Sequence, residues 1–423
     1  MKRHEEKLGD SQVIRVVFFT HYTLLYGANR SLLNLIDGLK DYPVIPYVIA
    51  PKEGDITRAL QERNISYAIF PMVRWIEKPD SSSNFLTQVK NQLDHQIGSL
   101  KRIKQNLKIL EPIVEKIRGW KADILYTNSS VLPIGALAAY KAKLPHIWHL
   151  REFVDLDYGL KFDWGNALAK KIINRSNAKI AISKAIYSHF SQPKSRDYHI
   201  IYNGIARQSE FDYLRQQFEN QTTPQKPKPF TFCLIGKINR SKGHETAVRA
   251  ISLLQKKFKH SKLLIVGDGE DQPIKQLVNQ LCLNHCVEFW GRIEDPFKAY
   301  LASDAVLMCS KNEGMGRVTV EAMAACKPVI GYDNAGTSEI ITHGKTGLLY
   351  YGDAIELSAA MEQLIEQPQW GRELALAGWK LAREQFCIEV YAEKVYEVLI
   401  STLALKGSTH QSTQFDLSKA FIS

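Results

Sequence analysis

A chain of 423 residues is long for one hydrophobic core, so two domains of roughly 200 residues each are expected. The composition is that of an ordinary globular protein, no apolar run reaches the roughly 18 residues of a spanning helix, and the opening MKRHEEKLGDSQ lacks the apolar core of a secretory signal. The net charge of +11 is uneven: residues 1–207 hold 31 Lys and Arg against 19 Asp and Glu, a balance of +12, and the rest holds 24 against 25, or −1.

The basic half should meet something anionic. It carries no recognition-helix or aromatic RNA-binding pattern, so no nucleic acid is expected; an anionic membrane surface or a phosphate-bearing acceptor fits better. A cytoplasmic protein is expected, working at the inner face of a membrane if it meets one. All six cysteines lie in the second half, mostly in apolar runs, and read as buried free thiols. Cys282, His285 and Cys286 have no second ligand pair at zinc-site spacing.

Residues 13–20, VIRVVFFT, read as a first buried strand, and HYTLLYGANRS leads into a helix carrying Leu32, Leu33, Leu35, Ile36 and Leu39. Strands at 46–50 and 66–70 with a helix at 55–63 continue an alternation that implies a parallel sheet covered on both faces. Residues 72–84 read as irregular. From 86 to 110 apolar residues recur every three or four positions (Val89, Leu93, Ile97, Leu100, Ile103, Leu107, Leu110), with Lys90, Lys101, Arg102, Lys104 and Lys108 among them. Such a helix either lies in a membrane interface or packs its stripe on the sheet. Strands follow at 123–127, ending at Asn128, Ser129 and Ser130, and within LPHIWHLREF, which places His149, Arg151 and Glu152 just beyond a strand end, where ligands collect in a doubly wound sheet. Asp155, Leu156 and Asp157 spell DxD, a tripeptide common by chance.

Short strands at 179–183 and 198–202 close the first half, and a polar stretch with a helix at 210–220 runs into TTPQKPKP. The second half opens with FTFCLIG and then KINRSKGHETAVRAI, a strand, a basic loop and a helix, with Lys237, Arg240 and Lys242 near the helix start. Cations there can neutralise a phosphate or another anion. KLLIVGDGE and VEFWGRI are further strands. Residues 304–309 lead to Gly314 and Gly316 and then to a helix-forming run at 318–325, with Glu313 and Glu321 eight positions apart. A glycine loop feeding a helix suits an anion, and the two carboxylates suit ligand hydroxyls, so loop and acids together suggest a sugar nucleotide.

EGMGRVTVEAM resembles the E-x7-E motif of the retaining glycosyltransferases of family 4, within the GT-B group, and PVIGYDNAGTSEII and HGKTGLLYYGD are similar to the segments that follow it there. The resemblance implies an α/β GT-B fold: two Rossmann-like domains facing across a cleft, an acceptor-binding domain at 1–207, a linker at 208–229, a nucleotide-sugar-binding domain at 230–387, a helix at 388–405 that crosses back to the first domain, and a tail at 406–423. It implies that Glu313 positions the transferred sugar, Glu321 holds the ribose, and Lys237, Lys242 and the backbone of Gly314, Met315, Gly316, Arg317, Val318 and Thr319 serve the rest of the donor. The family usually has Arg where Lys237 stands; lysine keeps the charge and loses the two-pronged fork. Arg292 and Ile293 would offer backbone to the base, His149 would stand near the donor sugar, and Gly27, Asn29, Arg30 and Arg151 would meet the acceptor. Glu313, His149 and Lys242 are thus the expected catalytic set. The expected partners are a nucleotide diphosphate sugar and a glycan or lipid-linked acceptor, with peripheral contact with an anionic membrane left open, and neither metal nor other cofactor is expected. A GT-B epimerase, a phosphorylase or a non-catalytic sugar-nucleotide-binding subunit is the alternative.

Overall fold

The structure, a computed structural model, describes residues 13–78, 85–192, 197–220 and 229–408. The opening dodecapeptide, most of the TTPQKPKP stretch and the tail from 409 lie outside the described residues. The chain divides into two compact units: Met1–Ile182, Ile186–Ile201 and Tyr391–Ser423 form the first, and Ser183–Ala185 with Tyr202–Val390 form the second.

The first unit contains β1 (Ile14–Phe19), β2 (Val44–Ala50), β3 (Tyr67–Ile69), β4 (Ile76–Glu77), β5 (Ile124–Thr127), β6 (His146–Leu150), β7 (Lys161–Phe162), β8 (Ala178–Ala181) and β9 (Tyr198–Ile200). Seven of them make a parallel sheet in the order β3-β2-β1-β5-β6-β8-β9, while β4 and β7 pair antiparallel outside it. Side chains alternate across a strand, and β1 is apolar from Val16 to Phe19 because both faces are covered there: Val16 and Phe18 enter one apolar cluster, Val17 and Phe19 the other. Helix Gly27–Leu39 joins the first cluster through Leu32, Leu33, Leu35, Ile36 and Leu39, as do Tyr391, Ala392, Val395, Val398 and Leu399 of the C-terminal helix Ile388–Ser408.

The second unit holds β10 (Thr231–Ile235), β11 (Lys262–Val266), β12 (Val287–Gly291), β13 (Ala305–Met308), β14 (Val329–Tyr332) and β15 (Leu348–Tyr350), parallel in the order β12-β11-β10-β13-β14-β15. Phe232 and Leu234 face its large cluster and Cys233 the small one on the other side. In each sheet the strand order reverses once, between β1 and β5 and between β10 and β13, and ligands of open α/β sheets bind beyond the carboxyl ends of the strands at such points.

Three elements differ from the sequence reading. Helix Gln208–Glu219, read as the start of a linker, packs within the second unit: Phe211 is buried, its carbonyl accepts the Trp379 indole N–H at 2.9 Å, and Asp212 accepts both prongs of Arg383 at 2.7 and 2.9 Å. Residues 76–77, read as irregular, form a strand because a two-residue partner 84 positions on supplies its hydrogen bonds, a pairing with no local signature. The helix expected at 86–110 runs from Phe85 to Gly119, through Pro112, and its apolar stripe splits: Ile103 is buried while Leu93, Ile97, Leu100 and Leu107 face solvent.

Candidate functional site

The loops at the β10/β13 switch hold the residues singled out around the two glutamates. After β10 the chain turns through a single 3-10 turn, Arg240–Lys242, capped by Asn239, whose side chain accepts the Ser241 N–H at 3.0 Å. Ser310, just past β13, donates to the Ser241 carbonyl at 3.1 Å, which ties the two loops together. Lys242 then reaches Glu313, Nζ to Oε2 at 2.6 Å, with both side chains part-buried. Lys237 is exposed beside this turn.

Gly316 is the N-cap of helix Arg317–Ala324 and has φ +84°, a conformation that a side chain at Cβ disfavours, so the entry angle of this helix depends on glycine. Gly314, Met315 and Gly316 are buried in the turn, and the Glu313 carbonyl accepts the N–H of Gly336 at 2.9 Å. The first helical turn departs from the sequence reading at one amide: the Thr319 N–H is taken by the Gly316 carbonyl at 3.0 Å. Among the described residues no group takes the Val318 N–H, and the Thr319 hydroxyl is buried without a partner.

Glu321, one turn inside the helix, is held from two sides. Arg317 donates to Oε1 at 3.0 Å, and the buried Tyr300 hydroxyl donates to Oε2 at 2.9 Å. Burial, and then the Glu321 charge, push the Tyr300 hydroxyl well above its ordinary pKa, so it stays a donor. Each carboxylate oxygen keeps a lone pair for a ligand hydroxyl. Tyr300 was missed in the sequence because a tyrosine in an apolar run carries no signal of a partner 21 residues away. Arg292 is exposed beyond β12, and Ile293 packs on the small apolar cluster. Glu339 accepts the N–H groups of Lys184 and Ala185 at 2.8 and 2.7 Å and the Tyr202 hydroxyl at 2.8 Å, so it is a structural acid of the second unit.

At the β1/β5 switch of the first unit a second polar cluster is fully buried. Arg151 donates to Asn128 Oδ1 at 2.8 Å and to the Tyr391 hydroxyl at 2.9 Å, and its Nη2 lies 3.1 Å from His149 Nδ1. The Tyr126 hydroxyl lies 2.5 Å from the same nitrogen. A guanidinium only donates, so Nδ1 is the acceptor and the ring proton sits on Nε2. Burial, with help from the Arg151 charge, holds His149 well below the usual histidine range, so the ring is neutral. Its Nε2 is buried and has no partner among the described residues, which leaves one donor for a ligand. Glu152 accepts from the Ser129 hydroxyl, the Ser130 hydroxyl and the Ser130 N–H at 2.5, 2.6 and 2.8 Å, and its carboxyl is raised by burial.

The loop before helix Gly27–Leu39 differs from its sequence reading. Gly27 is exposed at the helix start, but Asn29 is fully buried: its amide donates to the Tyr22 and Leu24 carbonyls, both at 2.9 Å, and its oxygen accepts the Thr20 hydroxyl. Arg30 donates to the Leu25 carbonyl at 3.0 Å. Asn29 therefore shapes the loop, and a contact with an acceptor would fall to the backbone it holds. Asn128 donates to the Ala28 carbonyl at 3.1 Å and joins this loop to the histidine cluster.

The DxD tripeptide is spent on local turns: Asp157 accepts the Phe153 and Val154 N–H groups at 3.0 and 2.7 Å, and Asp155 accepts from Asn166 at 2.8 Å. Among the described residues one trio of metal-type side chains converges, Glu77, His95 and Asp163, and Arg102 already occupies it, 2.6 Å from each acid.

The family described as Glycosyltransferase Family 4 matches residues 25–208, and the one described as Glycosyl transferases group 1 matches residues 215–378. The human alpha-1,3/1,6-mannosyltransferase ALG2 is 26% identical over 303 residues, 65% of this chain and 72% of ALG2. The lipopolysaccharide core biosynthesis glycosyltransferase LpsD of Rhizobium meliloti is 30% identical over 154 residues, 36% of this chain and 44% of LpsD. The crystal structure of Anabaena HepE in complex with UDP matches with a TM-score of 0.71 and 23% identity, covering 92% of this chain and 100% of HepE, a likeness of fold. Together the two family matches run from residue 25 to residue 378, one over each half, and the two parallel sheets with loops at their switch points agree with them: the chain belongs to the group 1, family 4 glycosyltransferases of GT-B fold.

Proposed function

We propose that this glycosyltransferase moves a hexose from a nucleoside diphosphate sugar to a glycan or lipid-linked acceptor, with retention at the anomeric carbon and without metal. The observation that carries the reading is the Lys242–Glu313 pair at the β10/β13 switch, beside a helix start and a Glu321 held by Tyr300 and Arg317. HepE, whose structures contain UDP or UDP-glucose, and ALG2, named a mannosyltransferase, support a nucleotide-linked hexose.

Transfer breaks the anomeric C–O bond to the diphosphate, so positive charge grows on the sugar and negative charge on the leaving oxygen. Without donor, Lys242 and Glu313 neutralise each other. A bound diphosphate competes for the Lys242 ammonium and frees Glu313 to accept from sugar hydroxyls, which exchanges one charge pair for two ligand contacts. Lys242, Lys237 and the Val318 N–H then stabilise the departing phosphate, and Glu321 accepts from the ribose. In the first unit, His149 offers its Nε2–H as a neutral donor to a ligand hydroxyl. Arg151 and the loop around Gly27 and Arg30 serve the acceptor, and the leaving phosphate takes the acceptor proton on the same face. Cell-surface polysaccharide or glycolipid synthesis, in the cytoplasm at the inner membrane face, is the setting this chemistry suits.

The test is transfer in chelator from UDP-, GDP- and ADP-hexoses to a panel of sugar and lipid-linked acceptors, with the anomeric configuration of the product read by NMR. A product of retained configuration is expected. Inversion, or dependence on added divalent metal, would overturn the mechanism. Conversion of the donor with no acceptor would point to an epimerase, a requirement for inorganic phosphate to a phosphorylase, and donor binding with no turnover to a non-catalytic subunit.

A further inference from the structure

Between residues 90 and 108, helix Phe85–Gly119 turns polar groups inward and, Ile103 apart, sets a row of apolar ones outward. Polar groups face the protein: Ser99 and Asn106 are buried, Asn106 accepts the Val73 N–H at 3.0 Å and donates to the Val73 carbonyl at 2.8 Å, and Arg102 bridges Glu77 and Asp163. Apolar groups face water: Leu93, Ile97, Leu100 and Leu107 are 56, 50, 45 and 51% exposed. Spacings of four, three and seven place these four on one line along the helix. Past Pro112 the ordinary order returns, and Ile113, Val114 and Ile117 are fully buried.

Lysines accompany the apolar line. Lys104 lies on it, one turn after Leu100, and Lys90, Lys101 and Lys108 run along one side, all exposed. Over residues 90–111 the helix itself carries two acids, Asp94 and Glu111, and Glu111 is paired with Lys141. A row of apolar side chains turned to water while polar ones are buried costs stability in an isolated chain, so the row implies something that covers it. The surface is one face of a helix with cations set among its apolar side chains. A protein partner would need a matching groove with acids placed opposite each lysine. A lipid interface needs no fixed shape and supplies acyl chains and phosphates side by side.

We infer that the outward face of residues 90–108 docks on an anionic bilayer, with Leu93, Ile97, Leu100 and Leu107 at the acyl boundary and the four lysines among the headgroup phosphates. Among the described residues no helix is long and apolar enough to cross a membrane, so this contact is peripheral. The inference deepens the membrane-face setting proposed above and rests on it only for its biological sense, since vesicle binding is read apart from turnover.

The experiment is sedimentation of the full chain with vesicles of phosphatidylcholine alone and with roughly one third phosphatidylglycerol. Three proteins are compared: wild type, Leu100→Ser with Leu107→Ser, and Lys101→Gln with Lys104→Gln. Thermal unfolding of each checks that these exposed substitutions leave the fold intact. The wild type is expected to bind the anionic vesicles only. Each leucine removed weakens partition on the order of tenfold, and each lysine removed weakens it about fivefold, an effect that fades in high salt. The inference is overturned if the wild type ignores anionic vesicles or if both variants bind as the wild type does. Concentration-dependent dimerisation lost in the leucine variant, without vesicle binding, would also overturn it and give the face to a second copy. Transfer to the panel of sugar and lipid-linked acceptors, run on the same preparations, separates the two proposals: turnover without vesicle binding sinks the membrane surface alone, and vesicle binding without turnover on any acceptor of the panel sinks the transfer reading alone.

Discussion

Replacing Gly336 by alanine puts the donor loop under direct strain. A Cβ at Gly336 would stand 2.6 Å from the Gly314 carbonyl oxygen, 2.7 Å from Met315 Cα and 2.8 Å from the Gly314 carbonyl carbon. All three are backbone atoms of the turn between Glu313 and Gly316, so no side chain can rotate away and the turn itself must move. The Gly336 N–H also holds the Glu313 carbonyl, so the displacement passes directly to the carboxylate proposed to hold the sugar. Overpacking of this kind costs about 1–3 kcal/mol. Gly371→Ala is the matched control: its Cβ would meet only Leu364 Cδ2 at 3.6 Å, inside helix Pro368–Gln385, where alanine is the better helix former by about 1 kcal/mol. Urea unfolding measures the cost, and calorimetric titration with the donor measures the site. Gly336→Ala should lower stability and weaken donor binding at least tenfold, while Gly371→Ala lowers neither. Equal stability and equal donor affinity in Gly336→Ala and wild type would refute the claim that this contact fixes the loop.

Tyr300→Phe removes one of the two groups on Glu321 without changing volume. A buried hydrogen bond to a charged group is worth about 1.5–3 kcal/mol, so both the unfolding free energy and the donor affinity should fall, and calorimetry that finds affinity unchanged would free Glu321 from its proposed role. Lys242→Met leaves a part-buried pair broken, at a stability cost of at most about 1 kcal/mol, yet kcat should fall by about 10²–10³ if the ammonium stabilises the leaving phosphate. A KM effect alone would assign Lys242 to ground-state binding. The pH dependence follows from two buried histidines: burial lowers His21 and His146 to about 3. Both are neutral in the folded chain and bind protons at the ordinary histidine value when unfolded, so their contribution is complete above pH ~6.5 and is lost as pH falls toward 3, at up to about 1.4 kcal/mol per pH unit for each group. His146→Gln should flatten the fall in unfolding midpoint between pH 6.5 and 4, and an unchanged slope would contradict the assignment.

The residues that act through their own local geometry were legible in the sequence. Gly316 could be read as a helix entry because only glycine sits easily at φ +84°, and Glu313 and Glu321 because a fixed spacing around such a turn leaves a signature. What the sequence withheld are partnerships made by the fold. Tyr391 meets Arg151 240 positions away, Tyr300 reaches Glu321 across two elements, and Asn29 turns inward because three groups of its own loop claim its amide. The periodicity of 86–110 gave a helix and left its facing undecided. Arg102 settles that facing: its two carboxylate partners draw the polar side inward and turn the leucines out.

The central claim is that the second unit binds a nucleotide sugar through Glu321 and its neighbours without metal. Thermal unfolding of the wild type and of Glu321→Ala with UDP-, GDP- and ADP-sugars, in chelator, tests it most directly, because a ligand that binds only the folded chain raises the midpoint. The account predicts a rise with one nucleotide class that disappears in Glu321→Ala. A rise that needs added metal, or one that persists undiminished in Glu321→Ala, would contradict it.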